Sequence, residues 1–474
     1  MRLRLRVALL AALVLATPIA SPKGVSAQGI GVNTQSACNS GRNEAVTGDP
    51  CADGSAVFYN PAALAFQPSV VSAGISVIRN SHTFRFDANP AVEFKRGPEN
   101  PLVPQVWVNW RGGQRWAAGA GFWVPFGFTL KWPVAATNPF PGRFTGYDNT
   151  VKGMYLQPTV AYQLVPKRLS VGAGLDVVFA TVDIHQRVDL ATQALPGVAG
   201  ATFNNLGIPF GTDFADARLK GKATTVGGHF AALLRINDQL SVGARYLTQA
   251  KAKFNNGQAT FTQVTTGRTL PAGNPLGLPG GTPLDAVLAP EFTGTGPLAN
   301  QKVTTEITFP AMFLAGIAYK PTPAIELSGD WQWTDWSKWD VFALKFATHT
   351  STDSLFVLNQ NTNTFRLGGQ WAATRALEVR AGWSYSQAAE TDVAVSPLLP
   401  EAKRNYYSGG FSYSLTKDLV ADAFVQHVVQ ADRRGRVYPL TSRNVTASQV
   451  NVGLYTADAN IFGLNLRYTF GPAR

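Results

Sequence analysis

The chain has 474 residues, 41 Lys and Arg against 29 Asp and Glu, a formal charge of +12 and a charged fraction of only 15%. Charge that sparse, beside 11% aromatics and 45 glycines, is unlike a soluble domain of this length. No basic run interleaved with aromatics occurs, which argues against nucleic-acid binding, and two cysteines cannot make a multiply cross-linked scaffold.

The chain opens with Arg2, Arg4 and Arg6, an apolar run from Val7 to Ala16, and the small residues Val25-Ser26-Ala27. This pattern predicts a secretory leader over residues 1–27, cleaved before Gln28 and too short to be a transmembrane helix. Removing Arg2, Arg4, Arg6 and Lys23, with no acid lost, lowers the formal charge from +12 to +8. A basic exported protein meets lipid head groups or acidic glycans.

Residues 28–68 lack sustained alternation and hold both cysteines, Cys38 and Cys51. An even count in an exported chain predicts a disulfide, contributing roughly 2–3 kcal/mol if unstrained. A metal site fails on spacing, since no Cys-x-x-Cys or neighbouring histidine pair is present. Asn60-Pro61 is a turn signal. Chemistry alone leaves two readings of this segment, a plug folded inside a barrel or an ordinary turn into the first strand.

Beyond residue 68 no apolar run reaches eighteen residues, so no helical span is expected. Alternation with a period of two takes over. Phe462, Leu464, Leu466, Tyr468 and Phe470 alternate with Gly463, Asn465, Arg467 and Thr469. Leu169, Val171, Ala173, Leu175 and Val177 do the same against Ser170, Gly172, Gly174 and Asp176, and so do Leu377, Val379, Ala381, Trp383 and Tyr385 against Glu378, Arg380, Gly382 and Ser384. Fourteen strands are predicted near 69–79, 102–111, 115–127, 152–165, 168–187, 217–236, 239–254, 301–320, 323–336, 360–374, 375–387, 404–416, 418–431 and 457–470. Short turns such as RGGQ, VPKR, INDQ, KPTP and LTKD alternate with long segments near 80–101, 128–151, 188–216, 255–300, 337–359, 388–403 and 432–456. Short turns at one end and long loops at the other predict an all-β, fourteen-stranded antiparallel transmembrane barrel over 69–474. Lipid offers no hydrogen bonds, so only a closed ring of strands satisfies every backbone group. The apolar set then faces hydrocarbon, and Trp107, Trp110, Trp116 and Trp371, near strand ends, are expected at the head-group level.

Three features point to a path through the barrel. Pro125 cannot donate a ladder bond, so with Gly127 it predicts a break in the wall, unless the strand simply ends at Val124. The longest loop carries Leu270, Leu276, Leu278, Leu284, Val287, Leu288 and Phe292. So apolar a loop predicts a binding groove, or packing against the 188–216 loop with its Leu206, Ile208, Phe210 and Phe214. Arg245, Arg366 and Arg380 have inward parity and are candidate partners for a carboxylate.

The stretch DGSAVFYNPAALA resembles the hatch signature of the FadL family of outer-membrane hydrophobic-compound transporters, whose plug carries Asn-Pro-Ala, matching Asn60, Pro61 and Ala62. GFWVPFGF is similar to the family's Pro-Phe-Gly break in the third strand, here Pro125, Phe126 and Gly127. YLQPTVAYQLVPKRLSVGAGLDVV, DWQWTDWSKWD and FRLGGQWAATRALEVRAGWSYS resemble later family segments in the family order. Two departures stand out: the cysteine pair is not a general family feature, and GPAR follows the final aromatic, Phe470.

The resemblance implies a barrel with an N-terminal hatch over 28–68, both termini in the periplasm, and passive uptake of long-chain fatty acids. It equally admits aromatic hydrocarbons. The ligand would land among the outer loops (Leu276, Leu278, Leu284, Leu288, Phe292 and Phe210), enter the lumen and leave sideways at the kinked strand. The expected surroundings are outer-membrane lipid and lipopolysaccharide, with a monomer and no nucleic acid, cofactor or metal. A general porin fits the strands but not the hatch. A hydrolase lacks a G-x-S-x-G or a defensible serine–histidine spacing, and GAGLDV and GAGFWV lack the third glycine of a dinucleotide fingerprint.

Overall fold

The computed structural model describes residues 30–97, 99–135, 137–347, 352–438 and 452–471. The leader expected over 1–27 and the end of the GPAR tail lie outside the described residues. Strand segments in chain order are β1 (Val70–Phe86), β2 (Asn89–Lys95), β3 (Leu102–Trp110), β4 (Trp116–Lys131), β5 (Asp148–Val165), β6 (Leu169–Asp189) and β7 (Asp213–Arg235). Then come β8 (Leu240–Leu247), β9 (Ala250–Gln263), β10 (Gln301–Phe309), β11 (Met312–Thr322), β12 (Ile325–Thr334), β13 (Val341–Phe346) and β14 (Thr352–Phe356). The last are β15 (Thr362–Ala372), β16 (Leu377–Ser386), β17 (Arg404–Ser414), β18 (Leu419–Gln430), β19 (Arg433–Gly435) and β20 (Gly453–Thr469). They form a closed antiparallel barrel of fourteen strands. The first strand closes the ring on the last, from Val70↔Thr469 to Phe86↔Gly453.

Two expected strands, 239–254 and 301–320, are each broken in two. The interruptions at Thr248–Gln249 and Pro310–Ala311 lie side by side, because Leu247 pairs with Met312 below them and Ala250 with Phe309 above. Proline has no N–H for the ladder, so the defect at Pro310 is shared by its neighbour. The segments β2, β13, β14 and β19 lie within stretches expected as loop.

Burial is inside out. On β20 the side chains of Phe462, Leu464 and Leu466 are 43%, 64% and 54% exposed while Asn465 between them is 2% exposed. On β6 Leu175 is exposed and Ser170 and Asp176 are buried. Water would not tolerate that arrangement; hydrocarbon requires it. Trp110, Trp116 and Trp371 face outward near strand ends, as expected. Trp107 does not: it is fully buried in the lumen, stacked near Trp123, with its Nε1–H donated to the Gln35 carbonyl at 3.0 Å. Residues three apart in a period-two strand face opposite sides, so Trp107 and Trp110 cannot both be at the interface.

The lumen is filled by the hatch, with helix α1 (Ala37–Ser40), helix α2 (Ala56–Tyr59) and a 3-10 turn (Pro61–Phe66). Ser36 caps α1 by accepting from the Asn39 N–H. Asn60 caps the 3-10 turn through the Ala62 N–H at 3.1 Å, and Pro61 fills its first turn, where no donor is needed. The Asn60 amide also donates to the Thr47 carbonyl at 2.7 Å. The Asn-Pro-Ala motif thus ties two hatch segments together. Cys38 and Cys51 are joined in a disulfide. The wall makes room with glycine: a Cβ on Gly243 would sit 2.0 Å from the Thr47 carbonyl oxygen, and one on Gly172 would sit 2.6 Å from the Ala62 nitrogen.

Candidate functional site: a sealed seam beside an aromatic cluster

β4 pairs with β3 only from Trp110↔Ala118 to Val106↔Phe122, and its register against β5 slips between Trp123 and Phe126. The strand does not end at Val124; it bulges there and runs on to Lys131. Past Phe122 the edge of β3, Leu102–Gln105, pairs with β1 but not with β4, which leaves a seam between β3 and β4.

The bulged backbone groups are taken up by the beginning of the hatch. Val32 donates its N–H to the Pro125 carbonyl at 2.7 Å, and Gly127 donates its N–H to the Ile30 carbonyl at 2.7 Å. The Gln35 side-chain amide donates to the carbonyls of Val32 at 2.8 Å and Val124 at 2.9 Å. Ile30–Val32 therefore acts as a short strap laid along the kink. No pattern in the sequence announces it, because three residues are too few to show a period.

Beside the kink, aromatic rings pack into a cluster against the hatch. Phe126 lies 5.9 Å from Tyr155, 5.5 Å from Phe309 and 5.9 Å from Trp336, and Trp123 lies 5.4 Å from Phe58. All six rings are buried. Burial of so much ring surface is apolar, yet four polar side chains here end without partners among the described residues: Trp123 Nε1, Tyr155 Oη, Trp336 Nε1 and all three nitrogens of Arg245. The Arg245 guanidinium sits 4.4 Å over the Phe58 ring, with Tyr155 and Asp176 within electrostatic reach.

The three candidate arginines separate clearly. Arg380 is engaged by Gln370 at 3.3 Å, Ser412 at 2.7 Å and Glu378 at 2.5 Å. Arg366 gives one nitrogen to Gln332 at 2.7 Å and leaves Nη1 unpaired. Arg245 alone brings an unbonded guanidinium to the aromatic cluster.

Near these rings Asp176 Oδ1 lies 2.6 Å from His229 Nδ1, and His229 Nε2 lies 2.9 Å from Thr159 Oγ1. The order is that of an acid–base–nucleophile chain, but Thr159 is buried in the wall and the three side chains are walled in by β5, β6 and β7. Sequence reasoning missed this cluster because its members lie on three strands.

The apolar loops pack on each other. Leu284 and Leu288, on helix α3 (Leu284–Leu288), are buried with Leu190, Phe203, Phe214 and Leu270, and Leu276 and Phe292 pack against them. Phe210 stands apart at 65% exposed, and Leu278 is also exposed. The structure thus brings Leu276, Leu284, Leu288 and Phe292 into one cap and leaves Phe210 outside it.

Residues 19–470 match the model of the outer membrane protein transport protein family (OMPP1/FadL/TodX). The chain belongs to this family. It is 24% identical to the 47 kDa outer membrane protein of Pasteurella multocida over 438 residues, 91% of this chain and 92% of that one. Outer membrane protein P1 of Haemophilus influenzae is 21% identical over 387 residues, 78% of this chain and 75% of the relative. The fold is shared with a Pseudomonas aeruginosa FadL homologue (TM-score 0.72, 19% identity, covering 94% and 100% of the two chains). It is also shared with the Pseudomonas putida toluene transporter TodX (TM-score 0.64, 15% identity, covering 94% and 100%). The protein is an outer-membrane β-barrel with the fold of hydrophobic-compound transporters.

Proposed function

We propose that the protein is a passive, non-enzymatic carrier of long-chain fatty acids, captured at the outer loops, held among the aromatic rings around Phe126 and released sideways through the β3–β4 seam. The observation that carries this reading is the seam itself: a bulge at Val124–Pro125 whose backbone groups are bonded to the beginning of the hatch and not to β3. Burial favours an apolar chain by about 25 cal/mol per Å² of apolar surface, so delivery into the bilayer is downhill where release to water is not. The hatch blocks the straight path, and sliding of the strap off the kink opens the lateral one.

The ligand class follows from Arg245. An unpaired guanidinium buried among rings is costly unless an anion answers it, and a carboxylate does so with two parallel hydrogen bonds. The aromatic lining also suits a neutral hydrocarbon, as carried by the toluene transporter of the same fold. That second reading leaves the three Arg245 nitrogens without a hydrogen-bond acceptor.

The test is replacement of Val124–Gly127 by residues that complete the ladder to β3. Uptake of labelled fatty acid should be lost while folding and surface binding persist. Unchanged uptake would rule out exit at this seam.

A further inference from the structure

The lipid-facing surface of the outer half of the barrel is not uniformly apolar. On β7 the outward positions below the middle are Val226, Phe230 and Leu234, all exposed. Continuing outward on the same face come Lys222 and Lys220, both exposed. Lys302 on β10 is also exposed, and Lys220 and Lys302 pair with the same residue, Gln258 of β9, from either side. Strands about 4.8 Å apart place the two lysine Cα atoms about 10 Å from each other. Lys345 on β13 pairs with Thr304, two residues from Lys302 and on the same face.

None of Lys220, Lys222, Lys302 and Lys345 makes an ion pair with a described residue. Several other cations of the outer rim are answered within the chain. Arg85 and Lys95 share Glu93 at 3.1 and 3.3 Å, Arg434 meets Asp87 at 2.5 Å, and Lys131 bridges Glu99 and Asp148 at 3.4 and 3.3 Å. Lower on the lysine sector, Lys251 is held by Glu306 at 2.6 Å. The carboxylate beside the cluster, Asp183 of β6, stands opposite Lys220 and is already held by Arg218 at 2.6 Å, so the sector carries an excess of positive charge in a medium where desolvation strengthens every interaction. The lysines lie just above an apolar band, where the phosphates of outer-leaflet lipid are found, and clustered cations are drawn to an anionic lipid surface.

We infer that the β7–β9–β10–β13 sector is a binding site for a phosphorylated glycolipid of the outer leaflet. Its sugar phosphates would sit among Lys220, Lys222, Lys302 and Lys345, and its acyl chains would lie along Val226 and Phe230. The sector is separated from the β3–β4 seam by β5 and β6, so the anchored lipid leaves the proposed exit clear.

The experiment compares wild type with Lys220→Gln/Lys222→Gln/Lys302→Gln/Lys345→Gln, each extracted from outer membranes in mild detergent. Native mass spectrometry then counts retained lipopolysaccharide. Wild type should keep it, and the four-glutamine variant should lose it at least tenfold. The four-arginine counterpart and Lys95→Gln should behave as wild type. Equal retention by the glutamine variant, or retention of anionic phospholipid in place of the glycolipid, would overturn the site. Lys220→Gln/Lys302→Gln alone gives a milder variant for the same measurement, with a smaller loss expected and none overturning the proposal.

Discussion

Arg42 of the hatch and Glu326 of β12 form an ion pair across the lumen, with side chains only 2% and 4% exposed. Lys320 of β11 extends it, reaching Glu326 at 3.5 Å and Asp49 of the hatch at 2.5 Å. Nearby, Asp330 accepts from the backbone N–H groups of Val46 at 3.0 Å and Thr47 at 2.9 Å. The hatch is therefore pinned to β11–β12, far around the ring from the strap. Glu326→Gln leaves a buried guanidinium without its counter-ion and should destabilise the hatch by about 3–5 kcal/mol, whereas Arg42→Met/Glu326→Leu should cost less. Hydrogen exchange of residues 37–60 reads the difference, and equal loss in both variants would contradict it.

Arg245→Met should separate binding from stability. The apo protein should melt higher, because an unpaired buried charge is removed. Affinity for a fatty acid should fall about tenfold or more, the scale of a charged hydrogen bond, while toluene binding stays unchanged. Ligand titration and thermal melting of the same preparations check both. A fatty-acid affinity equal to wild type would remove Arg245 from the site.

Replacing Cys38 and Cys51 by serine should loosen the hatch by roughly 2–3 kcal/mol, since the bond closes a loop with a sequence separation of 13. The barrel, held by its own ladders, should keep its melting temperature. A barrel that fails to assemble without the bond would show that the hatch templates the wall.

In the outer loops Glu390 and Glu401 clasp each other's backbone: Glu401 donates its N–H to Glu390 at 3.1 Å, and Ala389 donates its N–H to Glu401 at 2.7 Å. Burial lifts the Glu390 carboxyl well above the usual carboxylate range, against the pull of Arg433. A carboxyl whose value is raised in the folded loop stabilises it at low pH and loses that contribution as pH rises above about 4.5. Proteolysis of the 388–403 segment should therefore quicken between pH 5 and pH 8. Glu390→Gln should flatten the profile; a profile unaltered by it would refute the assignment.

What could be read in the sequence was what repeats. Alternation on β6, β16, β17 and β20 is strong because lipid enforces it at every second residue, so strand number and facing were legible. Pro125 was legible as a lesion in the ladder, since its missing N–H is a property of the residue itself. The strap at Ile30–Val32 and the Arg42–Glu326 pair were not, because each joins positions far apart in sequence that only closure of the ring brings together. The arginines shared one parity, and parity says which face a side chain occupies, not whether a neighbour such as Glu378 or Gln332 already holds it. Trp107 was misplaced by reading nearness to a strand end ahead of parity.

The ladder that shuts the ring joins Val70 to Thr469, almost the full length of the described chain apart. Bringing those ends together costs loop-closure entropy that no earlier contact repays in full. Until β20 arrives, β1 and β18 each present an open row of backbone donors and acceptors, the condition under which strands pair with the wrong chain. Folding of this protein is thus a race decided at its last strand. A truncation that removes only the end of β20 should act as a kinetic lesion, diverting material to aggregates and leaving the melting temperature of whatever closes nearly intact.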